Sequence, residues 1–342
     1  MRDALRLPLV LAMLIVVGCS DVAPTWRMDP ANPVIRPGFN GELDAISAAS
    51  PHVIEVDGRF VMYYWAIGSD KHHRICIAES ENNTPTGWRP RGAVLERQPD
   101  TDHNCFGPGF PFVLPREDGP WLMYVGTWGK PRAGRPLYNR TCVALSDDRG
   151  KTWRYADHNP AIPLDMPYDA DGTGSVFVWR DEDSFHMYYT AIAGFTPCPQ
   201  GIAAGHGDTI PDIGIGYAVS SDGIHWSKPY AHWLITPRRF QMAPYEYICS
   251  KPWMIEEAGE YRLWVNTFGM AYRIRSLVSR DRLAWRWVDS GPIGELGVGE
   301  AGDWDDVQRS YLCVLRHGKN YHGWFTGNDF GRTGIGHAIC AP

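Results

Sequence analysis

Five short segments carry a carboxylate a few residues ahead of an apolar run. They are Glu42 to Ser50 with Glu42 and Asp44, Asp102 to Gly109, Asp169 to Gly174 with Asp169 and Asp171, Tyr245 to Ser250 with Glu246, and Asp305 to Ser310 with Asp305 and Asp306. Single acids on polar loops are ordinary. Five acids brought to one structural level are not, because like charges in a confined space repel and shift one another's pKa values. Paired carboxyl groups suit cleavage of a glycosidic bond, where one protonates the leaving oxygen and the other activates water or attacks the anomeric carbon. Basic and aromatic side chains accompany them. His103 follows Asp102, Arg309 follows Asp305 and Asp306, and Arg273 and Arg275 stand downstream of Glu246. Each can hold a substrate hydroxyl or carboxylate, or neutralise a buried acid. Tyr245, Trp253 and Trp304 flank the segments as sugar-stacking or packing residues. His52, inside an apolar run, reads as structural.

The elements that must position these groups repeat along the chain. An apolar-aromatic strand pattern recurs at Gly58 to Trp65, Gly119 to Gly126, Asp183 to Thr190, Gly259 to Asn266 and Lys319 to Thr326. Its aligned positions are Met62, Met123, Met187, Leu263 and Gly323, at intervals of 61, 64, 76 and 60 residues. Each copy follows a shorter apolar run and precedes a third strand. In the first four copies a turn ending in Trp88, Trp153, Trp226 or Trp285 comes next. The fifth copy lacks that Trp, and Thr25-Trp26 near the start of the chain supplies the missing piece. The expected fold is therefore all-β: a five-bladed β-propeller whose N-terminal segment provides the last strand of blade five and closes the ring. The blades span about 45–98, 102–165, 171–237, 246–295, and 304–342 together with 25–35, in one domain over 19–342. In such a ring the five acidic segments converge on one axial funnel, with long loops such as 195–213 controlling access.

Composition agrees with this reading and excludes others. The chain has 342 residues, 27 Pro and 36 Gly, which oppose a helix bundle, and 15 Trp, 16 Tyr and 12 Phe, which suit strands. A net charge of −6 leaves no broad basic footprint for nucleic acid. At the N-terminus, Arg2 and Arg6 precede an apolar stretch from Leu7 to Val17 that is too short to span a bilayer. It ends Val16-Val17-Gly18-Cys19 and resembles the lipobox of bacterial lipoproteins. That resemblance implies a signal peptide over 1–18, a lipid anchor on Cys19, and a protein facing the periplasm or cell surface, with Ser20 leaning toward the outer membrane. Seven further cysteines remain, without a Cys-x-x-Cys pair that would suggest zinc. Cys105 with Cys142 and Cys313 with Cys340 are either disulfides within a repeat or buried thiols. Asn139-Arg140-Thr141 has the form of a glycosylation acceptor, of little use to a bacterial lipoprotein.

Ser146-Asp-Asp-Arg-Gly-Lys-Thr-Trp153 resembles the Asp-box of sialidase-type propellers, with Ser221 to Trp226 a shorter variant. These turns identify architecture and carry no chemistry. With Ser50-Pro-His-Val-Ile54, Tyr217 to Trp226 and Phe330 to Gly336, the chain resembles the glycoside hydrolase propellers of families 43, 32, 68 and 130 over residues 25–342. The resemblance to family 43 implies a general base from blade one, a pKa-modulating Asp from blade three and a general acid Glu from blade four. The matching segments hold Asp44, Asp171 and Glu246. Family 43 often opens its first inner strand with Asp-Pro, where this chain has Ser50-Pro51. The base is then Asp44, six residues earlier, with Glu42 as its alternative, and Asp169 competes with Asp171. The remaining candidates, Asp102, His103, Tyr245, Trp304, Asp306, Arg309 and Arg273, are assigned to substrate binding. The resemblance implies an exported hydrolase, expected as a monomer, acting on an oligo- or polysaccharide by inversion, with a furanoside or pentoside as substrate. A non-catalytic sugar-binding propeller is the alternative, and a glycoside phosphorylase, which needs an Arg and His cluster for phosphate, is the third reading. No cofactor is called for, and a calcium ion on the ring axis stays open.

Overall fold

The computed structural model of the protein describes residues 23–39, 41–131, 138–239, 244–257 and 259–341. The expected signal peptide and Cys19 lie outside the described residues. The repeat pattern becomes antiparallel strands that pair in chain order. The first repeat is a sheet of β2 (Ser47–Val56), β3 (Arg59–Ile67), β4 (His73–Ser80) and β5 (Trp88–Leu95). The second is a sheet of β6 (Gly107–Leu114), β7 (Trp121–Trp128), β8 (Asn139–Ser146) and β9 (Arg154–Tyr155). The third and fourth repeats form one seven-stranded sheet. It runs through β10 (Gly172–Asp181), β11 (Ser184–Pro197), β12 (Thr209–Ser220), β13 (Ile248–Glu257), β14 (Glu260–Phe268), β15 (Tyr272–Ser279) and β16 (Arg286–Trp287). They are joined by a single parallel pair, Ile213 with Ile248. The last sheet holds β17 (Ser310–His317), β18 (Asn320–Thr326) and β19 (Ile335–Cys340), and its outer strand is β1 (Trp26–Met28), with Trp26 opposite Cys340.

The strands read as continuous apolar runs because both of their faces are covered. In β3, Phe60, Met62, Tyr64 and Ala66 enter one hydrophobic cluster, whereas Tyr63 turns to the neighbouring cluster with Met123 and Val125. This is the period-two alternation of a strand with a core on each side. First strands of successive repeats touch one another: β2 meets β6, β6 meets β10, β10 meets β13, β13 meets β17, and β17 meets β2.

The residue after each aligned strand position ties its repeat to another. Tyr63 Oη donates to Gly150 O at 2.9 Å, Tyr124 Oη to Gly223 O at 2.8 Å and Tyr188 Oη to Arg282 O at 2.5 Å, each in the Trp-ending turn of the next repeat. Trp324 Nε1 of the last repeat donates to Pro85 O in the turn of the first, at 2.8 Å. Trp264 Nε1 and Trp26 Nε1 share Glu295 Oε1, at 2.6 and 3.1 Å. The receiving turns are built alike. Asp148 Oδ1 accepts the Thr152 N–H and the Ser146 hydroxyl, and Trp153 Nε1 donates to Gly150 O. The Thr152 hydroxyl and N–H pull the Asp148 carboxyl down to about 2. Asp222 with Trp226 and Asp281 with Trp285 repeat the arrangement. All seven described cysteines, the two candidate pairs included, are free. In the 195–213 region the β11–β12 hairpin supplies 195–197 and 209–213, and an eleven-residue loop over 198–208 joins them.

These ties and the buried histidines generate two expectations. Replacing Tyr124 with Phe leaves the Gly223 carbonyl unmet and lowers unfolding stability by about 1 kcal/mol, measured by urea titration. Burial pushes His52 down to about 3 and His337 down to about 4. Both folded values lie below the ordinary value of about 6.5, so the unfolded chain takes up protons that the folded chain refuses. Stability is therefore fully present above pH 6.5 and lost as the pH falls toward 4, by roughly 2 kcal/mol per histidine at pH 5. A urea midpoint that stays level between pH 7 and pH 5 contradicts this.

Candidate functional site

Where the first strands begin, they surround a cavity of about 380 Å³, within the range of small-ligand sites. One local device shapes it. Ser50, Phe110, Lys251 and Tyr311 occupy the same place in β2, β6, β13 and β17, and their φ values are 46°, 51°, 48° and 57°. Side chains other than Gly, Asn and Asp seldom adopt this left-handed region. Strand register shifts at each of them, and at Gly174-Ser175 in β10. Three precede prolines, Pro51, Pro111 and Pro252, which give no N–H to the ladder. Each bulge re-aims its strand, and Phe110, Gly174, Lys251 and Tyr311 line the cavity. Strained backbone repeated at one level of a cavity is where functional side chains concentrate.

An aromatic surface covers one side. Trp65 and Trp128 stack with ring centres 4.7 Å apart and planes at 21°. Phe110 packs on both, at 5.1 and 5.3 Å, and His73 lies 4.5 Å from Trp128. Gly109 permits the stack, since a Cβ there would stand 2.5 Å from the Trp128 ring. Tyr272, Tyr311 and Phe330 continue the surface. Polar groups complete it: Ser47, Asn139, Ser175, Thr190, Ser250, His206 and Lys251. Three of the lining residues hold a buried polar atom without a hydrogen-bond partner among the described residues: Trp65 Nε1, His73 Nδ1 and Lys251 Nζ. Such atoms are costly unless water or a ligand meets them.

The acids expected in this cavity are elsewhere. Asp44 accepts the Tyr64 hydroxyl at 2.9 Å and the Gly38 N–H at 3.2 Å. Asp169 accepts the Tyr189 hydroxyl at 2.9 Å and Lys228 Nζ at 2.6 Å. Asp305 accepts Arg309 Nε at 2.7 Å, and Arg309 also donates to Leu296 O. These three acids each stand eighteen residues before an aligned strand position. Asp44 and Asp169 tie their loops to a tyrosine of their own repeat, and Asp305 braces its loop through Arg309. Glu246, 1% exposed, receives Arg275 at 2.9 and 2.7 Å and Arg238 at 3.1 Å. Asp171 is buried beside Gly194 of β11, and its N–H donates to Ile192 O. None of Asp44, Asp171 and Glu246 lines the cavity, and the expected crowding of carboxylates is corrected to a set of separate bonds within repeats.

The other candidates also lie off the cavity lining. Exposed Asp102 pairs with Lys130, and the carbonyl of its neighbour His103 accepts the Thr127 hydroxyl. Tyr245 packs near Tyr247 and Phe268. Trp304 stacks on Phe325, and exposed Asp306 accepts Asn328 Nδ2. Arg273 donates to the carbonyls of Tyr272 and Val307. Sequence reasoning missed Phe110, Lys251, Tyr272 and Tyr311 and assigned Trp65 and Trp128 to the repeat alone. The signal that finds three of the bulges is a residue before proline at one place in the apolar runs: Ser50, Phe110 and Lys251. Among the described residues lining the cavity, the only carboxylate is Asp329, exposed at the mouth beside Arg332. No group of three or more His, Cys, Asp or Glu side chains suited to a metal occurs among the described residues.

No protein-family model matches the chain. The uncharacterized protein Rv1502 of Mycobacterium tuberculosis is 24% identical over 314 residues, covering 91% of this chain and 77% of that protein. Among solved structures, a glycosyl hydrolase from Bacteroides ovatus aligns with a TM-score of 0.69 at 16% identity, over 94% of this chain and 95% of that one. A thermostable family-43 glycoside hydrolase aligns at 0.62 and 14%, over 89% and 91%. A structure from the GH130 family of mannoside phosphorylases, which contains glycoside hydrolases that target β-1,2 mannosidic linkages in Candida mannan, aligns at 0.68 and 16%, over 94% and 95%. The chain has the all-β fold of propeller glycoside hydrolases.

The bonding of Glu246 carries its own test. Substituting Glu246 by Gln removes the charge that two buried guanidiniums share, and unfolding stability falls by about 3 kcal/mol in denaturant titration. An unchanged midpoint shows that the carboxylate is not a structural anchor.

Proposed function

We propose that this chain is a glycan-binding propeller that holds a sugar ring against the Trp65, Trp128 and Phe110 surface of its axial cavity. The carrying observation is the combination of stacked indoles with unpartnered Trp65 Nε1 and His73 Nδ1 in a cavity that lacks paired carboxylates among the described residues. Sugars offer apolar ring faces for the aromatics and hydroxyls for such polar atoms, and pockets of this kind combine apolar walls with few placed polar groups. The proposal includes five blades and a ring closed by the N-terminal strand. The pairing of β1 with β19, the contact of β17 with β2 and the bond from Trp324 to Pro85 support it. It also includes export and lipid attachment at Cys19, on the strength of the lipobox-like sequence.

Hydrolysis by Glu246 as acid, Asp44 as base and Asp171 as modulator is the second reading, favoured by the glycoside hydrolase names of the solved neighbours. It requires carboxylates now engaged by Tyr64, Arg238 and Arg275 to reach a ligand.

One panel separates the two. Oligosaccharides are titrated against intrinsic tryptophan fluorescence, and aryl furanosides and pyranosides are assayed for release of the aryl group. The expected result is saturable binding, weakened about tenfold or more in Trp128→Ala, without aryl release. Aryl release by the wild type that is lost in a folded Glu246→Gln variant overturns binding alone in favour of hydrolysis.

A further inference from the structure

Lys251 is the anomaly of the cavity. It is 1% exposed, sits in a left-handed bulge, and its Nζ has no hydrogen-bond partner among the described residues. Buried ammonium groups are normally paired, because removing the charge from water costs several kcal/mol. The groups around its Nζ supply no counter-charge. The Trp253 ring centre lies 5.5 Å away, and His52 stands 5.2 Å from the same ring. Burial pushes His52 down to about 3 and the Cys313 thiol up to about 12, so both are neutral near pH 7. Burial also lowers Lys251 itself to about 8, which leaves it largely protonated at that pH.

The charged residues of the cavity lining have an uneven sign. Arg332 and Asp329, both exposed, offset one another, which leaves Lys251 as the buried charge of the lining, a cation in a protein whose net charge is −6. Serine and threonine hydroxyls and an asparagine amide make up much of the remaining polar lining. A neutral sugar would satisfy these hydroxyls and leave the buried ammonium unpaired.

We propose that the glycan bound in this cavity bears a carboxylate, as a uronic acid residue does, and that Lys251 Nζ pairs with that carboxylate while the ring lies on the Trp65 and Trp128 surface. This rests on the glycan-binding reading and adds the ligand class. A charge-assisted bond inside a water-poor cavity is stronger than the same bond in solvent, so Lys251 sets preference for acidic over neutral sugars. No bond is made or broken.

The test uses the mature chain and calorimetric titration with oligogalacturonides and oligoglucuronides, each beside its carboxyl-reduced counterpart with the same rings and linkages. Wild-type protein is expected to prefer an acidic form by about tenfold or more. In Lys251→Met the ratio of the two affinities falls to near one, and circular dichroism checks the fold. Inorganic phosphate is titrated as a competing anion. Equal wild-type affinity for acidic and reduced forms overturns the carboxylate proposal and leaves glycan binding standing. A preference that survives Lys251→Met removes Lys251 from it. Binding of phosphate but not uronide, lost in the variant, replaces it with a phosphate site. If neither form of any oligosaccharide binds, the glycan-binding reading falls and this inference falls with it.

Discussion

The structure depends on one interaction made between repeats: an aromatic side chain on a middle strand whose polar tip reaches a turn of another sheet. Tyr63, Tyr124, Tyr188 and Trp324 bury their rings between sheets and place a donor on a carbonyl of the receiving turn. The ring supplies apolar area and the donor supplies direction. Together they fix the distance and angle between repeats, and so decide where the first strands converge. The turns are rigid receivers because an aspartate collects several N–H groups and a tryptophan indole closes the loop. Turns that look like decoration in the sequence thus act as sockets.

The same geometry explains what was legible in the sequence. Strands covered on both faces must be apolar throughout, so the runs around Met62, Met123 and Met187 stand out, and their spacing exposes the repeat. Trp26 as the missing outer strand was also readable, because the fifth copy ends without its turn. The site was harder. Carboxylates attract a chemical reading, yet Asp44, Asp169 and Asp305 recur with the repeat because each holds its loop in place, Asp44 and Asp169 through a tyrosine of their own sheet and Asp305 through Arg309. Their repetition at a fixed offset is a structural signal that the catalytic reading of Asp44 passed over. Glu246 breaks the offset by one residue and is consumed by Arg275 and Arg238, 29 and 8 residues away in the chain. The parallel pair that merges two repeats into one sheet, Ile213 with Ile248, leaves no local signal at all.

The cavity residues escaped for the opposite reason. They lie inside apolar runs where side-chain identity looks interchangeable. A bulge changes that, because it breaks the period-two alternation, and Phe110, Gly174, Lys251 and Tyr311 at the bulges line the cavity. Ser50, Phe110, Lys251 and Tyr311 share almost no chemistry, while their backbone conformation is nearly the same. A fold of this kind can keep its frame and change its ligand by changing the bulge positions that line the cavity, consistent with the general rule that function resides in sites grafted on a scaffold. Among these positions Lys251 places a cation in the cavity lining.

The most direct measurement is a crystal structure of the protein with a bound acidic oligosaccharide. The expected result is a sugar ring lying on the Trp65 and Trp128 indoles with its carboxylate within hydrogen-bond distance of Lys251 Nζ, and with Asp44 and Glu246 still joined to Tyr64 and Arg275. Density for the sugar between freed Asp44 and Glu246 side chains, with the aromatic cavity holding only water, would contradict it.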